Sequence, residues 1–124
     1  MKLLFSTVLI FLLALEPAGS AQTKPEAHFF AEFWSQFKAA VEKGDKEAIA
    51  GMTQLPFGDE KLAKADFVKQ FDKIFSARVR RCFRNAKPVK EDKRDSYSVF
   101  CGENIFVFEK GKDGYQFTDV GVND

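Results

Sequence analysis

Three short segments near the C-terminus decide the fold: YSVFC (residues 97–101), IFVFE (105–109) and YQFTDVGV (115–122). They are rich in aromatic and β-branched residues, which favour β-strands. The connections between them are short, and Asp113-Gly114 is a dipeptide typical of tight hairpin turns. The pattern predicts an antiparallel meander of at least three strands.

The chain before these segments follows helical spacing instead. Apolar residues recur every three or four positions between residues 29 and 41, which predicts a first helix. It should begin near Thr23, which can cap its start, and end at Gly44. Asp45 can cap a short second helix that runs to Met52.

A third helical stretch is predicted over residues 67–86, either continuous or restarting near Ser76, and Pro88 ends it. A short extra strand could lie near residues 55–57 or 60–63. Helices followed by a run of strands indicate an α+β fold, in which the N-terminal helices pack on one face of the antiparallel sheet.

The first 21 residues predict export. Lys2 is followed by an apolar run to Leu15, and small residues lead to Ala21, where we expect cleavage of a signal peptide. A membrane anchor is the alternative, but the run is shorter than the roughly 20 residues that a bilayer crossing takes. The domain would then span residues 22–124, in the bacterial periplasm or outside the cell, with no membrane span after cleavage.

Composition bounds the partners and the core. A chain of 124 residues is one small domain at most, and its net charge of +1 gives no general attraction to nucleic acid. It contains 15 Phe, and aromatic side chains bury the most area per residue. We therefore predict a small core built largely of phenylalanine.

The chain contains two cysteines, Cys82 and Cys101. In an exported protein such a pair predicts a disulfide, the alternative being two unpaired buried thiols. A nucleophilic role for Cys101 would need a free thiolate with a base in reach, so a disulfide would exclude it.

Several stretches resemble one known fold: VEKGDKEAIA (41–50), LPF (55–57), Asp66-Phe67 opening a helix, and the closing YQFTDVG (115–121). Together they look like the cystatin-like fold of the nuclear-transport-factor-two-like superfamily, which has uncharacterised secreted bacterial members. The resemblance covers most of the domain. It implies a cone-like, curved sheet around a long helix, with a pocket at the wide end. Some members are isomerases or dehydratases that use an Asp or His there, and others bind small molecules or proteins.

Asp119 is the strongest candidate for acid–base chemistry. Simple alternation places it on the same strand face as Phe117 and Tyr115, and a carboxylate among aromatic rings would have a raised pKa. The alternative is a strand end where Asp119 meets water. The only histidine, His28, lacks partners at metal-ligand spacing, so we predict no metal site and no cofactor.

A basic run is the most distinctive charge feature. Residues 78–94 contain eight basic and two acidic side chains. On a helix, Arg80, Arg84 and Lys87 would share one side, and Arg78 and Arg81 another. The run predicts a docking patch for an acidic protein partner or a surface anion, or else a solvated helix flank.

The strands also indicate a second apolar face. If Cys101 faces the helices, Phe100 points the other way. We assign Phe106 and Phe108 of the next strand to the face of Phe100, and we predict that a second copy of the chain buries this face in a homodimer. A curled sheet covered by a terminal segment is the alternative.

These observations favour a non-enzymatic binding module for a small apolar ligand or a protein partner. The alternative is a small pocket enzyme, an isomerase, dehydratase or hydrolase, that uses a carboxylate such as Asp119. A deep pocket with a buried carboxylate would favour the enzyme, and a filled core would favour the module.

Overall fold

A computed structural model describes residues 29–123. Within this range five helices precede four strands, which confirms the predicted α+β fold. The helices are α1 (Phe30–Lys43), α2 (Lys46–Gly51), α3 (Lys64–Lys69), α4 (Phe71–Ile74) and α5 (Ala77–Asn85), and the strands are β1 (Val89–Lys90), β2 (Ser96–Cys101), β3 (Asn104–Gly111) and β4 (Gly114–Val122).

The first helix is shorter than predicted. It begins at Phe30, because Phe29 has extended backbone (φ −112°, ψ 137°) and already leaves the helical conformation. Its predicted start at Thr23 and the signal segment lie outside the described residues. Its end is as predicted: Gly44 takes the left-handed conformation (φ 65°) that a glycine adopts without steric cost.

The predicted cap at Asp45 is confirmed, and the helical stretch restarts at Ser76, one of the two predicted alternatives. The Asp45 carboxylate accepts a hydrogen bond from the Ala48 N–H at 3.1 Å and starts α2. The Ser76 hydroxyl accepts one from the Val79 N–H at 3.3 Å and starts α5. The third helical stretch is therefore three pieces, because the backbone also breaks between α3 and α4 at Gln70.

The sheet has the strand order β1-β2-β3-β4, and all three pairings are antiparallel. The three longer strands match the predicted segments. β1 was not predicted, since two residues after a proline carry too little pattern. The predicted extra strand is only a single bridge between Phe57 and Leu62.

A second single-residue bridge covers part of the free edge of β4, the last strand of the sheet. Residues 52–54 run parallel to β4 beside Phe117. The Phe117 N–H donates to the Met52 carbonyl, and the Gln54 N–H donates to the Phe117 carbonyl, both at 2.8 Å. The Thr53 hydroxyl donates to the Ile49 carbonyl at 2.6 Å, which ties this segment to α2.

The core lies between the helices and one face of the sheet. Phe37 of α1 is at its centre, with ring centroids 5.0 Å from Phe108 of β3 and 5.6 Å from Phe117 of β4. Phe75 and Phe83 close the helical side around it. Of the phenylalanines within residues 29–123, eight are fully buried, as the composition predicts: Phe37, Phe67, Phe71, Phe75, Phe83, Phe106, Phe108 and Phe117.

The prediction that Phe106 and Phe108 lie on the second face was wrong. The tight turn after Cys101 makes Val99 the partner of Phe106 and Tyr97 the partner of Phe108. Directly paired residues share a face of the sheet. Both phenylalanines therefore face the helices and are 0 % exposed, whereas Phe100 is 50 % exposed.

Candidate functional site

The face of the sheet opposite the helices, here called the outer face, carries four apolar side chains. Phe100 of β2 is paired with Ile105 of β3, and Val89 and Val107 flank Ser98 on either side. Val89 is 54 % exposed, similar to Phe100, and Ile105 and Val107 are half-buried. We call these four residues (Val89, Phe100, Ile105 and Val107) the apolar strip.

Two carboxylates adjoin the apolar strip. Asp119 of β4 is the direct partner of Val107, and Glu109 lies two residues beyond Val107 on the same side of β3. Both side chains are exposed. They are the only charged residues that the register places on the outer face of β2, β3 and β4. The outer face therefore combines an apolar centre with an acidic rim.

A β-bulge puts Asp119 on this rim. Val107 pairs with Asp119 but Phe108 pairs with Phe117, so Thr118 is an extra residue without a partner. The predicted placement of Asp119 beside Phe117 and Tyr115 was therefore wrong. Phe117 is buried among the helices, whereas Asp119 is exposed to water. This placement removes the basis for the predicted acid–base catalysis by Asp119.

Hydrogen bonds hold both carboxylates in place. The Thr118 hydroxyl lies 3.0 Å from Oε1 of Glu109 and 3.3 Å from the Val107 carbonyl oxygen. Oδ1 of Asp119 accepts the N–H of Val120 at 2.8 Å. These bonds restrict two side chains that would otherwise move freely at a strand surface.

An open groove of about 310 Å³ runs beside the two carboxylates. One wall is the loop of residues 54–61, and the other is formed by Glu109, Thr118 and Asp119. Asp59 and Lys61 contribute one charge of each sign on the loop side. The bridge of residues 52–54 to β4 fixes the start of this loop against the sheet. The groove thus extends the acidic rim.

The basic run does not form the predicted patch as a whole. Arg80 is half-buried, with its guanidinium 5.5 Å from the Phe71 ring centroid and Nη2 3.8 Å from Oδ1 of Asp72. It lies against Gly44 at the end of α1, where a cation is favoured by the helix dipole. Arg80 and Arg84 lie one turn apart on α5, as predicted, but Arg80 is half-buried whereas Arg84 is exposed, and Lys87 lies beyond the end of the helix.

The remaining basic residues of the run are exposed. Arg78, Arg81 and Arg84 recur every three positions on the solvent side of α5, and Lys87 follows the end of the helix. None of them forms an ion pair with another described residue. Their docking role stays a prediction.

The predicted disulfide between Cys82 and Cys101 is confirmed. It joins α5 to the end of β2, with the two Cα atoms 5.8 Å apart. Both sulfurs are bonded, so Cys101 is not a free nucleophile. Among residues 29–123, no group of three His, Cys, Asp or Glu side chains could hold a metal ion, and His28 lies outside this range.

No family model, curated protein or solved structure matches this chain. The resemblance to the nuclear-transport-factor-two-like superfamily therefore stays a prediction. Within the described residues, no helix combines the length and hydrophobicity needed to cross a membrane.

Sequence reasoning identified Phe100 but missed most of the outer face. Ile105 and Val107 were visible as one alternating set, but the strand register was needed to say which face they occupy. Nothing in the sequence indicated that the loop of residues 54–61 would lie beside Glu109 and Asp119.

Proposed function

We propose that this protein is an exported, non-enzymatic binding module that holds a protein partner on the outer face of its sheet. One observation carries the proposal: the sheet exposes an ordered apolar strip on the side away from the helices, where Phe100 is half-exposed. Exposed apolar patches mark sites of protein–protein contact, and aromatic side chains such as Phe100 are enriched there.

The helix-facing side supports a protein partner over a small apolar ligand. In a cone-like fold such a ligand would lie between the long helix and the sheet. Here Phe37, Phe108 and Phe117 occupy that position, with ring centroids 5.0 to 5.6 Å apart. The filled core is the outcome that favours a binding module.

The chemistry of the described residues supports the non-enzymatic proposal. A general acid or base needs a position in reach of a bound substrate, usually within a pocket. Asp119 is exposed at the rim, and both cysteines are bonded. Export is supported by the disulfide, which is stable in an oxidising compartment, and by the predicted signal segment.

Site-specific cross-linking in the source cell tests the proposal. A photoreactive phenylalanine at Phe100 should form a cross-link to one protein, whereas the same group at Lys69, exposed on α3, should not. With that protein purified, Phe100→Ser should weaken binding, and the matched surface change Lys69→Ser should leave it unchanged. Equal cross-linking from both positions, or no effect of Phe100→Ser, would contradict the proposal.

A further inference from the structure

We infer that the outer face binds an extended protein segment in which apolar side chains alternate along one side and are followed by a Lys or Arg. This inference rests on the proposed function and names the chemistry of the partner. The apolar strip supplies the contact surface, and the acidic rim decides which partner fits it.

The apolar part is continuous across three strands. Phe100 and Ile105 form one cross-strand pair, and Val107 lies next to Ile105 on the same face of β3. Ser98, which separates Val89 from Val107, is buried. A partner that covers this strip removes apolar surface from water, which favours association.

The charged part begins where the apolar part ends. Asp119 pairs directly with Val107, so the boundary lies within one cross-strand pair. Neither Glu109 nor Asp119 forms an ion pair with a described residue, and Asp59 and Lys61 on the facing loop offset each other. The rim therefore carries two formal negative charges that no ion pair within residues 29–123 offsets, and such charges attract a cationic partner and repel an acidic one.

Spacing defines the segment further. Ile105, Val107 and Glu109 are successive outward side chains of β3, roughly 7 Å apart. An extended peptide repeats its side chains at the same interval on one side. Two apolar residues at alternate positions can contact Ile105 and Val107 while a cation at the next alternate position reaches Glu109 and Asp119.

A second copy of this chain fits the surface less well. A two-fold pairing of outer faces would bring the carboxylates of both copies into one interface. The exposed arginines of α5 cannot offset them there, because α5 packs on the opposite face of β2 through the bond to Cys101. The predicted homodimer is therefore one of the outcomes that the experiment must separate.

Peptide titration followed by NMR tests the inference on the ¹⁵N-labelled, disulfide-bonded protein. The probe is a capped peptide with Val, Phe and Arg at successive alternate positions, separated by Thr. One matched peptide carries Glu in place of Arg, and another carries Ser in place of Val and Phe. The basic apolar peptide should shift the amide signals of Phe100, Ile105, Val107 and Asp119 in a saturable way. The peptide with Glu should bind about two- to fivefold more weakly, as expected for one exposed charge pair, and the peptide with Ser at least about fivefold more weakly, as expected for lost apolar contacts.

Variants of the rim provide the second arm. Glu109→Gln with Asp119→Asn should remove the preference for Arg over Glu, while Glu103→Gln with Asp113→Asn, which neutralises two exposed carboxylates in turns, should preserve it. If the rim variant folds poorly, the preference of the unmodified protein for the Arg peptide over the Glu peptide still tests the inference.

Equal affinity for the basic and acidic peptides, or shifts confined to α5, would overturn the inference. Concentration-dependent shifts at Phe100 without peptide would identify a second copy as the occupant and would also overturn it. Loss of peptide selectivity with a persistent cross-link from residue 100 would leave the proposed function standing. Loss of both would remove the function itself.

Discussion

The two faces of the sheet differ more than their sequences do. Phe100, Phe106 and Phe108 are the same residue type within nine positions, yet Phe106 and Phe108 are 0 % exposed and Phe100 is 50 % exposed. The helix-facing side holds the buried phenylalanines of β3 and β4, packed against the helices. The outer face mixes apolar residues with carboxylates. Some phenylalanines of this chain therefore build the core, whereas Phe100 is exposed on the outer face. Strand register alone decides which of the two a phenylalanine does.

The largest expected difference between the faces is in stability. Phe108→Ala should lower the free energy of unfolding by about 3–5 kcal/mol, because it leaves a cavity against Phe37 and Phe117. Phe100→Ala should cost below about 1 kcal/mol, since its side chain is already half in water. Urea denaturation of both variants measures these two changes in the free energy of unfolding.

Similar losses in the two variants would show that the faces are equally buried, and the comparison would fail. If Phe108→Ala does not fold, Phe108→Leu provides a milder cavity that should still cost more than Phe100→Leu.

The disulfide gives the next largest effect. Cys82 and Cys101 are 19 residues apart, and replacing both by Ser should lower the free energy of unfolding by about 3 kcal/mol in the chain-entropy account. The bond fastens α5 to the helix-facing side next to Phe100. Denaturation with and without reductant checks this: reductant should destabilise the natural protein and have no effect on the double Ser variant.

The smallest expected effect is on stability at alkaline pH, and it comes from Tyr115 on the helix-facing side. The pKa of Tyr115 is raised above its ordinary value of 10.0, mainly by partial burial and further by the nearby Tyr97 and Asp95. The folded state thus keeps its phenolic proton after the unfolded chain has lost it. The stability contribution is complete below pH 10.0 and declines as pH rises through the folded pKa.

Ultraviolet titration of the phenolate checks this expectation. In the Tyr97→Phe variant the remaining tyrosine, Tyr115, should titrate above the pH at which it titrates in urea. An identical pKa in both states would show that Tyr115 is as exposed as a residue of the outer face.

The sequence predicted the parts of the fold that local patterns specify. Asp45 starts α2 through its side-chain cap, Gly44 ends α1 through its left-handed backbone, and the three longer strands follow from aromatic and β-branched runs. Export chemistry predicted the disulfide. The helix ends and strands depend on residues that are neighbours in sequence. The disulfide could be predicted because the chain contains only two cysteines, Cys82 and Cys101.

The candidate site depends on pairing, which local patterns do not specify. Alternation separated Ile105 and Val107 from Phe106 and Phe108, but only the partners of Tyr97 and Val99 decide which set faces the helices. The β-bulge at Thr118 moves Asp119 to the outer face, and no residue type in this stretch indicates that a bulge occurs there. The sequence predicts a surface charge at Arg80, because it does not indicate that Phe71 and Asp72 lie beside this residue in the fold.

The bridge of residues 52–54 to β4 bears on how the protein behaves when concentrated. An uncovered strand edge recruits other chains and leads to fibres. Here the hydrogen bonds at Phe117 divide the free edge of β4 into two short stretches, and the opposite edge, β1, is only two residues long. Neither edge can template a long added strand, so a protein that exposes phenylalanine and valine to water is nonetheless protected against polymerisation into cross-β aggregates.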